Sequence, residues 1–569
     1  MRGTAVATPP TVSRRRLAVV AITGLAAAYT LLRGVWPQVF TFATDPATSL
    51  LTRLLTAPIH LSDDVMVTLR SGEILLETGA PAFNRTDLAQ AATSYLAPYV
   101  YALFSVLLPS NLAVAAFALA GFGAVVATFA LIVATARSLI NAAILVGALA
   151  LTATNLEFAL NGWDHLLQGL FLAAAVVLAL GRPPTPGRLV AISLLAAGGS
   201  LARPDGIVIA AAVLWVAVVR ADRSWRRALA PALVPFAVAV GGMLALNYLQ
   251  FGYFTPTTAR LKAGAAPSTT YVLDYFTNNS VGSYTALTLL IVLLVAIVAF
   301  RRVLPLVFVL PLAAAALVTA AVAVVNSDFF PGARMFWVPA VVLAMALGMT
   351  LPGIVRTGPA FPTDDEGRIV TRMSARAEWV VLVGVLVVAL GASTALGLRG
   401  AVVSKEALPG IRTAQQFLAT EWVNANLAPE DGSVGVFFAG EAFHVLDFEA
   451  ADFLGKADEL IANAPVVWGP PGHNKWNIEA TLEKWRPQVI LPTIDQDPLA
   501  PESDAIAEDW RANLRTHGYV ADLLTSPTIR ADYSYCRVPD PTSRTEETVD
   551  VLLRNDVAER FAGQITCSP

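Results

Sequence analysis

Two adjacent carboxylates, Asp63 and Asp64, stand in a chain that otherwise carries few charged residues. They open the segment DDVMVTLRSGEILLETG, directly after Ser62. A serine followed by acidic residues is typical of a helix start, because its oxygen caps free amide groups and negative charge favours the positive end of the helix dipole. Carboxylates are also the groups that take up protons in general-base catalysis. The pair is therefore either an ordinary helix start or the centre of an active site.

The residues that follow the pair predict two helices close to it. VMVTLRSGEILLETG has the spacing of an amphipathic helix, with Arg70, Glu73 and Glu77 on its polar positions. YLAPYVYALFSVLL, residues 95–108, is apolar but short for a membrane crossing, and Pro98 interrupts it. We expect this second segment to form a helix that lies at the outer membrane surface.

Composition assigns the chain to a broad class. Of its 569 residues, 56% are hydrophobic and 14% are charged, and the mean hydropathy is +0.60. Soluble proteins have about 25% charged residues. Apolar runs long enough to cross a hydrocarbon core of about 30 Å recur along the chain, which predicts a polytopic α-helical membrane protein in contact with the lipid bilayer. The basic residues occur in short, separated clusters, so nucleic acid is not an expected partner.

Positive charge predicts the orientation, because loops rich in Lys and Arg stay cytoplasmic. About eleven crossings place every basic cluster on the cytoplasmic side of the plasma membrane, with the N-terminus inside and the C-terminus outside. The expected spans are residues 17–35, 112–135, 138–154, 165–181, 188–202, 206–220, 229–248, 284–300, 303–325, 335–354 and 378–398. The loop 36–111, which carries the acidic pair, then lies on the outer face.

From about residue 399 the composition becomes that of a soluble domain. GSVGVFFAG and RPQVILPT have the pattern of buried strands, and EALPGIRTAQQFLATEWVNANL has helical spacing. We expect a transmembrane part over residues 1–398 and an extracytoplasmic mixed α/β domain over residues 399–569. Cys536 and Cys567 either form a disulfide in an oxidising compartment or remain free thiols.

The polar motifs occur in an order that one superfamily shares. The acidic pair, its amphipathic helix and the turn GAPAFNRTDLAQAATSYLAP are followed by NGWDHLL, ARPDG, FGYFTPTTARLKAG and DFFPGARMFWVP. Together they resemble the GT-C superfamily of membrane glycosyltransferases. The C-terminal GPPGHNKWNIEATLEKWRPQVIL is similar to a further element of that superfamily, although Gln488 replaces its usual acid. The first loop most resembles the terminal β-(1→2)-arabinofuranosyltransferases of mycolic-acid-bearing actinobacteria.

The resemblance implies transfer of arabinofuranose from a polyprenyl-phosphate donor to a cell-wall glycan acceptor, an arabinan such as that of arabinogalactan or lipoarabinomannan. Asp63 or Asp64 would deprotonate the acceptor hydroxyl. The departing phosphate needs cations, for which the candidates are Arg260, Lys262 and Arg334, unless these side chains only snorkel toward lipid headgroups. A β-linked donor and a β-linked product imply net retention, through a carboxylate nucleophile or a front-face route in which the phosphate helps to deprotonate the acceptor. The sequence leaves these routes open.

Weaker candidates for sugar or acceptor binding complete the predicted site; they are Tyr95, Trp163, Asp164, His165, Arg203 and His473. Trp163 could instead be an interfacial anchor, and Arg203 could simply pair with Asp205 in a tight turn. The sequence leaves the cofactor open: an acidic pair near phosphate could hold Mg²⁺ or Mn²⁺, but no spacing of His, Asp or Glu demands a metal. The alternatives are a transferase for another sugar, such as mannose, and a transporter or flippase for a lipid-linked sugar, which would carry polar residues at mid-membrane.

Overall fold

The computed structural model describes most of the chain from Asp63 onward. The described ranges are 63–137, 139–152, 163–221, 225–263, 304–325, 334–351, 413–437, 439–443, 446–467, 474–491, 518–539 and 548–568, with isolated residues or short pieces within 17–25, 290–301 and 503–508 and at 472. The predicted spans 17–35, 284–300 and 378–398 lie largely or wholly outside these ranges.

The described residues before 352 are almost entirely helical. The helices are α1 (Asp63–Thr78), α2 (Ala97–Leu107), α3 (Ser110–Thr135), α4 (Leu139–Thr152), α5 (Trp163–Leu180), α6 (Pro186–Ala202), α7 (Ile207–Arg220), α8 (Trp225–Phe251), α9 (Thr257–Lys262), α10 (Leu306–Val325) and α11 (Trp337–Thr350). Each of α3 to α8, α10 and α11 overlaps one predicted crossing, and α1 and α2 coincide with the two helices predicted beside the acidic pair.

Two described helices are long and apolar enough by themselves to cross a membrane, over Leu112–Thr135 and Trp225–Phe251. The other apolar helices within the described ranges are shorter. The sequence therefore predicted which of these segments are helical, and the crossing of the membrane by the shorter ones stays a prediction.

Helix α5 packs against α3, α6, α7 and α11. Helix α11 is buried along nearly its whole length. A Cβ atom at Gly169 of α5 would lie 2.8 Å from the indole nitrogen of Trp337, so only glycine permits this approach of α5 to α11. Close packing at small residues is typical of helices in membranes, where hydrophobic burial does little to bring helices together.

Helices α5 and α6 are neighbours that run in opposite directions. The start of α5 and the end of α6 therefore mark one end of the helical part, and the end of α5 and the start of α6 mark the other. Where α5 finishes, Arg220 donates a hydrogen bond to the carbonyl oxygen of Gly181 at 2.9 Å. Where α5 begins, Asp164 accepts a hydrogen bond from Arg203 at 2.8 Å. An arginine of the predicted cytoplasmic clusters thus lies at the end opposite the candidate site residues, which is the arrangement that the predicted topology requires.

Helix α1 is more deeply buried than its amphipathic pattern predicted. Of its three polar positions, Glu77 is exposed, but Arg70 is only 4% exposed and Glu73 is half-buried. Arg70 donates to the carbonyl oxygen of Phe448 at 3.2 Å, and Glu73 accepts a hydrogen bond from the Tyr101 hydroxyl at 3.3 Å. The difference arises because α1 packs against both α2 and the C-terminal domain.

Glu73 gives a test of this burial. Burial raises the pKa of Glu73 from its ordinary value of 4.5 to about 7, against the opposing charge of Arg70. The folded protein then binds this proton more tightly than the unfolded chain, so the stabilisation is complete below pH 4.5 and is lost as the pH rises through 7. We expect Glu73→Gln to raise the melting temperature at pH 8 while leaving it nearly unchanged at pH 4.

Melting curves of the wild type and Glu73→Gln across this pH range measure the effect. The exposed Glu430 provides the matched control, since Glu430→Gln should leave the pH dependence of melting as it is. The same pH dependence in wild type and Glu73→Gln would contradict the prediction.

The described residues of the C-terminal domain form a six-stranded mixed sheet. Its strands are β1 (Ser433–Val436), β2 (Glu449–Asp452), β3 (Val489–Ile490), β4 (Tyr533–Pro539), β5 (Thr548–Arg554) and β6 (Thr566–Cys567), in the order β2-β1-β3-β5-β4-β6. Strand β1 is parallel to β2 and β3, and the remaining pairs are antiparallel. The predicted strands GSVGVFFAG and RPQVILPT contain β1 and β3.

Short helices accompany this sheet. They are α12 (Thr413–Asn426), α13 (Ala439–Phe443), α14 (Glu459–Ala462), α15 (Ile478–Trp485), α16 (Gly518–Leu524), α17 (Pro527–Asp532) and α18 (Asn555–Arg560). Pairing of β4 with β6 sets Cys536 opposite Cys567, and the structure joins them in a disulfide. Of the two thiol states that the sequence left open, the structure has the bridged one.

Candidate active site

Asp64 lies in the first turn of α1, as its sequence context predicted. Its carboxylate is 30% exposed and accepts a hydrogen bond from the Lys456 ammonium at 3.1 Å. Lys456 follows β2, so this ion pair joins α1 to the C-terminal domain. Asp63 begins the same helix, and its side chain lies outside the described part of the structure.

A cavity of about 30 Å³ borders the Asp64 carboxylate. Its charged lining residues are Asp64, Asp164, Arg203 and Lys456, its hydroxyl-bearing ones are Thr68, Thr93 and Thr258, and its apolar ones are Val65, Val67, Ala91, Ala97 and Phe117. A space of this size holds about one water molecule, so a sugar would have to displace some of these side chains. The lining combines cations that pair with phosphate oxygens with carboxylates and hydroxyls that bind sugar hydroxyls.

Asp164, His165 and Arg203, three of the weaker candidates, form one hydrogen-bonded cluster. Arg203 donates to Asp164 at 2.8 Å and to Asp205 at 3.2 Å. Asp164 also contacts the Nδ1 atom of the buried His165 at 2.9 Å. The side chain of Arg203 is 6% exposed, so the arginine is held between two carboxylates at the wall of the cavity.

The motif ARPDG explains how Arg203 is held. Burial alone would raise the pKa of Asp205, but the charge of Arg203 and a hydrogen bond from Gln168 outweigh it and keep that pKa below its ordinary value. Pro204 begins a 3-10 turn, and a Cβ atom at Gly206 would lie 2.4 Å from the Gln168 amide nitrogen. The pairing of Arg203 with Asp205 that the sequence allowed is present, and the same arginine also reaches Asp164.

The hydroxyl groups of the lining come from two motifs that are distant in sequence. The Thr93 and Thr258 hydroxyls lie 3.2 Å apart, and the Thr257 amide donates to the carbonyl oxygen of Gln90 at 3.0 Å. These contacts bring the end of GAPAFNRTDLAQAATSYLAP against FGYFTPTTARLKAG. Two motifs predicted to share a face therefore meet at one cavity.

The predicted phosphate-binding residues are not among the cavity lining. Arg260 pairs with Glu459 and lies over the Tyr253 ring, 3.5 Å from its centre. Lys262 is the last residue of α9. Arg334 begins a 3-10 turn, and the Arg334 side chain lies outside the described part of the structure. Phosphate binding by these three residues stays a prediction, and at Arg260 it would compete with the Glu459 carboxylate.

The remaining residues predicted to bind sugar or acceptor are Tyr95, Trp163 and His473. Tyr95 is buried, and its hydroxyl donates to the carbonyl oxygen of Phe254 at 2.7 Å, which assigns it a structural contact. Trp163 begins α5, but its side chain lies outside the described residues, as does all of His473.

Lys456 is the main site residue that the sequence did not indicate. It lies in DFLGKAD, where a glycine precedes a lysine between two acids, and this is a turn signal only. Its partner Asp64 lies 392 positions earlier in the chain. No local pattern reports such a contact, because it depends on how the C-terminal domain meets the helices.

Within the described ranges, no group of three or more His, Cys, Asp or Glu residues is arranged to hold a metal ion. Asp64 and Asp164 both border the cavity, but Lys456 and Arg203 are already paired with them. The donor set therefore does not fit a divalent cation in this arrangement, and no chemical step is assigned to one.

Comparison with known proteins gives a likeness in structure. No family model matches the sequence, and no curated protein matches it. Among solved structures, the chain is similar to ArnT from Cupriavidus metallidurans in the apo state, with a TM-score of 0.48, 16% identity, and coverage of 94% of this chain and 99% of that chain. It is also similar to the same protein bound to undecaprenyl phosphate, with a TM-score of 0.49, 15% identity, and coverage of 96% and 99%. The function is therefore inferred from this chain's own residues.

Proposed function

We propose that the protein is a membrane glycosyltransferase of the GT-C type that takes its sugar from a polyprenyl-phosphate donor. One observation carries this proposal: the Asp64 carboxylate shares a small cavity with two cations, a second carboxylate and three hydroxyls. These side chains come from α1, α5, α9, the loop before α2, the turn after α6 and the C-terminal domain. Several motifs predicted for the outer face thus contribute side chains to one cavity, as the active site of a transferase requires.

The proposed chemistry follows from the charges around that space. For a β-linked product from a β-linked donor, one route is a front-face displacement, in which Asp64 and the leaving phosphate take up the proton of the acceptor hydroxyl as its oxygen bonds to the sugar carbon. In the other route Asp64 attacks the sugar carbon itself, and the acceptor oxygen, losing its proton to the phosphate, displaces Asp64 in a second step. In either route the bond from the sugar to the phosphate breaks, and the phosphate leaves with the electron pair. Arg203, already buried as a cation at the cavity wall, stabilises the charge that develops there.

The finer part of the proposal is that the sugar is arabinofuranose and that the acceptor is a cell-wall arabinan on the outer face of the plasma membrane. It rests on the similarity of the first loop to terminal β-(1→2)-arabinofuranosyltransferases. The clustering of polar lining residues at one end of the helices favours a transferase over a flippase, whose polar residues would lie at mid-membrane.

A donor screen tests both levels of the proposal. Purified protein in lipid is incubated with polyprenyl-phosphate arabinofuranose or polyprenyl-phosphate mannose and an arabinan oligosaccharide, and the products are analysed by mass and anomeric configuration. We expect a β-linked arabinofuranosyl product from the first donor alone. Transfer from the mannose donor only would overturn the sugar assignment, and absence of transfer with movement of the donor across vesicle membranes would overturn the transferase proposal.

A further inference from the structure

The contact of Lys456 with Asp64 lies at the junction of the two parts of the chain. The Lys456 ammonium is 3.1 Å from one carboxylate oxygen, and its side chain is only 15% exposed. Both residues line the cavity beside Arg203 and Asp164. The C-terminal domain therefore contributes a charged group to the same space as the proposed base.

The loop that carries Lys456 is held by buried carboxylates on both sides. Asp452 is fully buried and accepts backbone hydrogen bonds from Leu454 at 3.0 Å and Ala457 at 2.8 Å. Gly455 has a φ of 78°, and a Cβ atom there would lie 2.7 Å from Ile461. The chain direction at Lys456 is thus fixed by its own loop.

Asp458 holds the far side of the loop. It is fully buried, and it accepts hydrogen bonds from the Lys484 ammonium at 3.0 Å and from the Trp485 indole at 2.6 Å. Two buried carboxylates on a loop of this length carry a desolvation cost, which these hydrogen bonds offset. The position of the loop, and with it that of Lys456, is specified by the fold.

The strand that leads into this loop is fixed to the segment that follows α1. The Asn84 side chain donates to the carbonyl oxygen of Ala450 at 2.9 Å and accepts from the Ala450 amide at 2.8 Å. The buried Asn84 side chain thus pairs with both backbone groups of Ala450, as a neighbouring strand would. These two bonds fix the segment after α1 to the strand before Lys456, and so they hold Asp64 and Lys456 in a constant relative position.

We propose that Lys456 is a positioning residue for Asp64, so that the C-terminal domain completes the active site of the helical part. This inference rests on the proposed function. The ammonium favours the ionised carboxylate and holds one of its oxygens, which fixes the orientation of the carboxylate at the cavity. The other charged groups that border the cavity are Arg203 and Asp164, and they already pair with each other.

Lys456→Met, which keeps the length of the side chain and removes its charge, tests the inference. In the sugar-transfer assay we expect kcat to fall about 100-fold with KM for the donor nearly unchanged. The acid limb of the pH–rate profile should move to higher pH, because the positive charge 3.1 Å from the carboxylate no longer favours its ionised form. Lys456→Arg should retain the wild-type position of that limb.

The matched control is Asp447→Asn, which removes another ion pair between the two parts of the chain. Asp447 pairs with Arg70 of α1 at 3.6 Å and does not line the cavity. Its replacement should leave kcat and the pH profile as in wild type. A wild-type kcat and pH profile in Lys456→Met, or the same loss in Asp447→Asn, would overturn the inference.

A second measurement does not depend on activity. Melting temperatures of wild type, Asp64→Asn, Lys456→Met and the double variant form a cycle that isolates the coupling of the pair. We expect the double variant to be less destabilised than the sum of the single ones, and strict additivity would overturn the inference even if Lys456→Met proved too unstable to assay.

Failure of the proposed function can be told apart from failure of this inference. If the wild type transfers sugar from no donor, the proposed function fails. If Asp64→Asn abolishes transfer but Lys456→Met leaves it unaffected, this inference alone fails.

Discussion

Replacement of Asp64 by asparagine is expected to lower the rate of sugar transfer about 1000-fold, since general-base catalysis contributes on the order of 10²–10⁴-fold. Asparagine has nearly the same shape and is as good at a helix start as aspartate, so α1 should still begin at the same residue. The amide cannot take up a proton or act as a carboxylate nucleophile. The loss should therefore appear in kcat, and it should exceed what the modest fall in melting temperature from the lost ion pair with Lys456 could explain.

The measurement is the initial rate of transfer from the polyprenyl-phosphate donor, with Asp63→Asn assayed beside it. Successive residues on an α-helix point about 100° apart, and the Asp64 side chain borders the cavity. We therefore expect the larger loss in Asp64→Asn. Wild-type activity in Asp64→Asn would remove Asp64 from the chemistry, and a severe loss confined to Asp63→Asn would transfer the role to its neighbour.

The helical part of the fold could be predicted from the sequence because its signals are local. Apolar runs bounded by charged residues, as between Asp164 and Arg182, have the lengths expected of membrane crossings, and the structure has helices at these places. The strands at Ser433–Val436 and Val489–Ile490 were likewise predicted from short apolar runs between turn residues.

The candidate site was only partly predictable, because its charged residues form pairs across long stretches of chain. The sequence indicated Asp64, Asp164 and Arg203 from motifs, but the motifs do not specify that Arg203 reaches Asp164. Arg70 was assigned to a polar face, since an arginine at helical spacing normally faces water, and docking of the C-terminal domain buries it. Lys456 was missed for the same reason.

The second large effect concerns the buried arginine at the cavity wall. Arg203 is 6% exposed and pairs with Asp164 and Asp205. Removing one member of a buried ion pair leaves the charge of the other uncompensated and lowers the free energy of unfolding by about 3–5 kcal/mol. We expect Arg203→Met to lower the melting temperature markedly at pH 7, with activity lost as well.

The pH dependence of this loss has a definite sign. In the wild type the pKa of Asp205 is held below its ordinary value of 3.8 in spite of burial, so the group contributes stability above that pH and loses it as the pH falls through the folded-state pKa. Without Arg203 this contribution disappears. The difference in melting temperature between wild type and Arg203→Met should therefore be largest near neutral pH and should shrink at pH values below 3.8.

The exposed pair of Arg560 with Asp431 supplies the control for Arg203→Met. Their side chains are 46% and 47% exposed, and an exposed ion pair contributes only about 0–1 kcal/mol. Arg560→Met should thus melt close to the wild type at every pH. If Arg203→Met melted like Arg560→Met, the arginine would not be compensating the partly buried carboxylates of Asp164 and Asp205. The proposed mechanism would then lose the buried cation that it places beside the leaving phosphate.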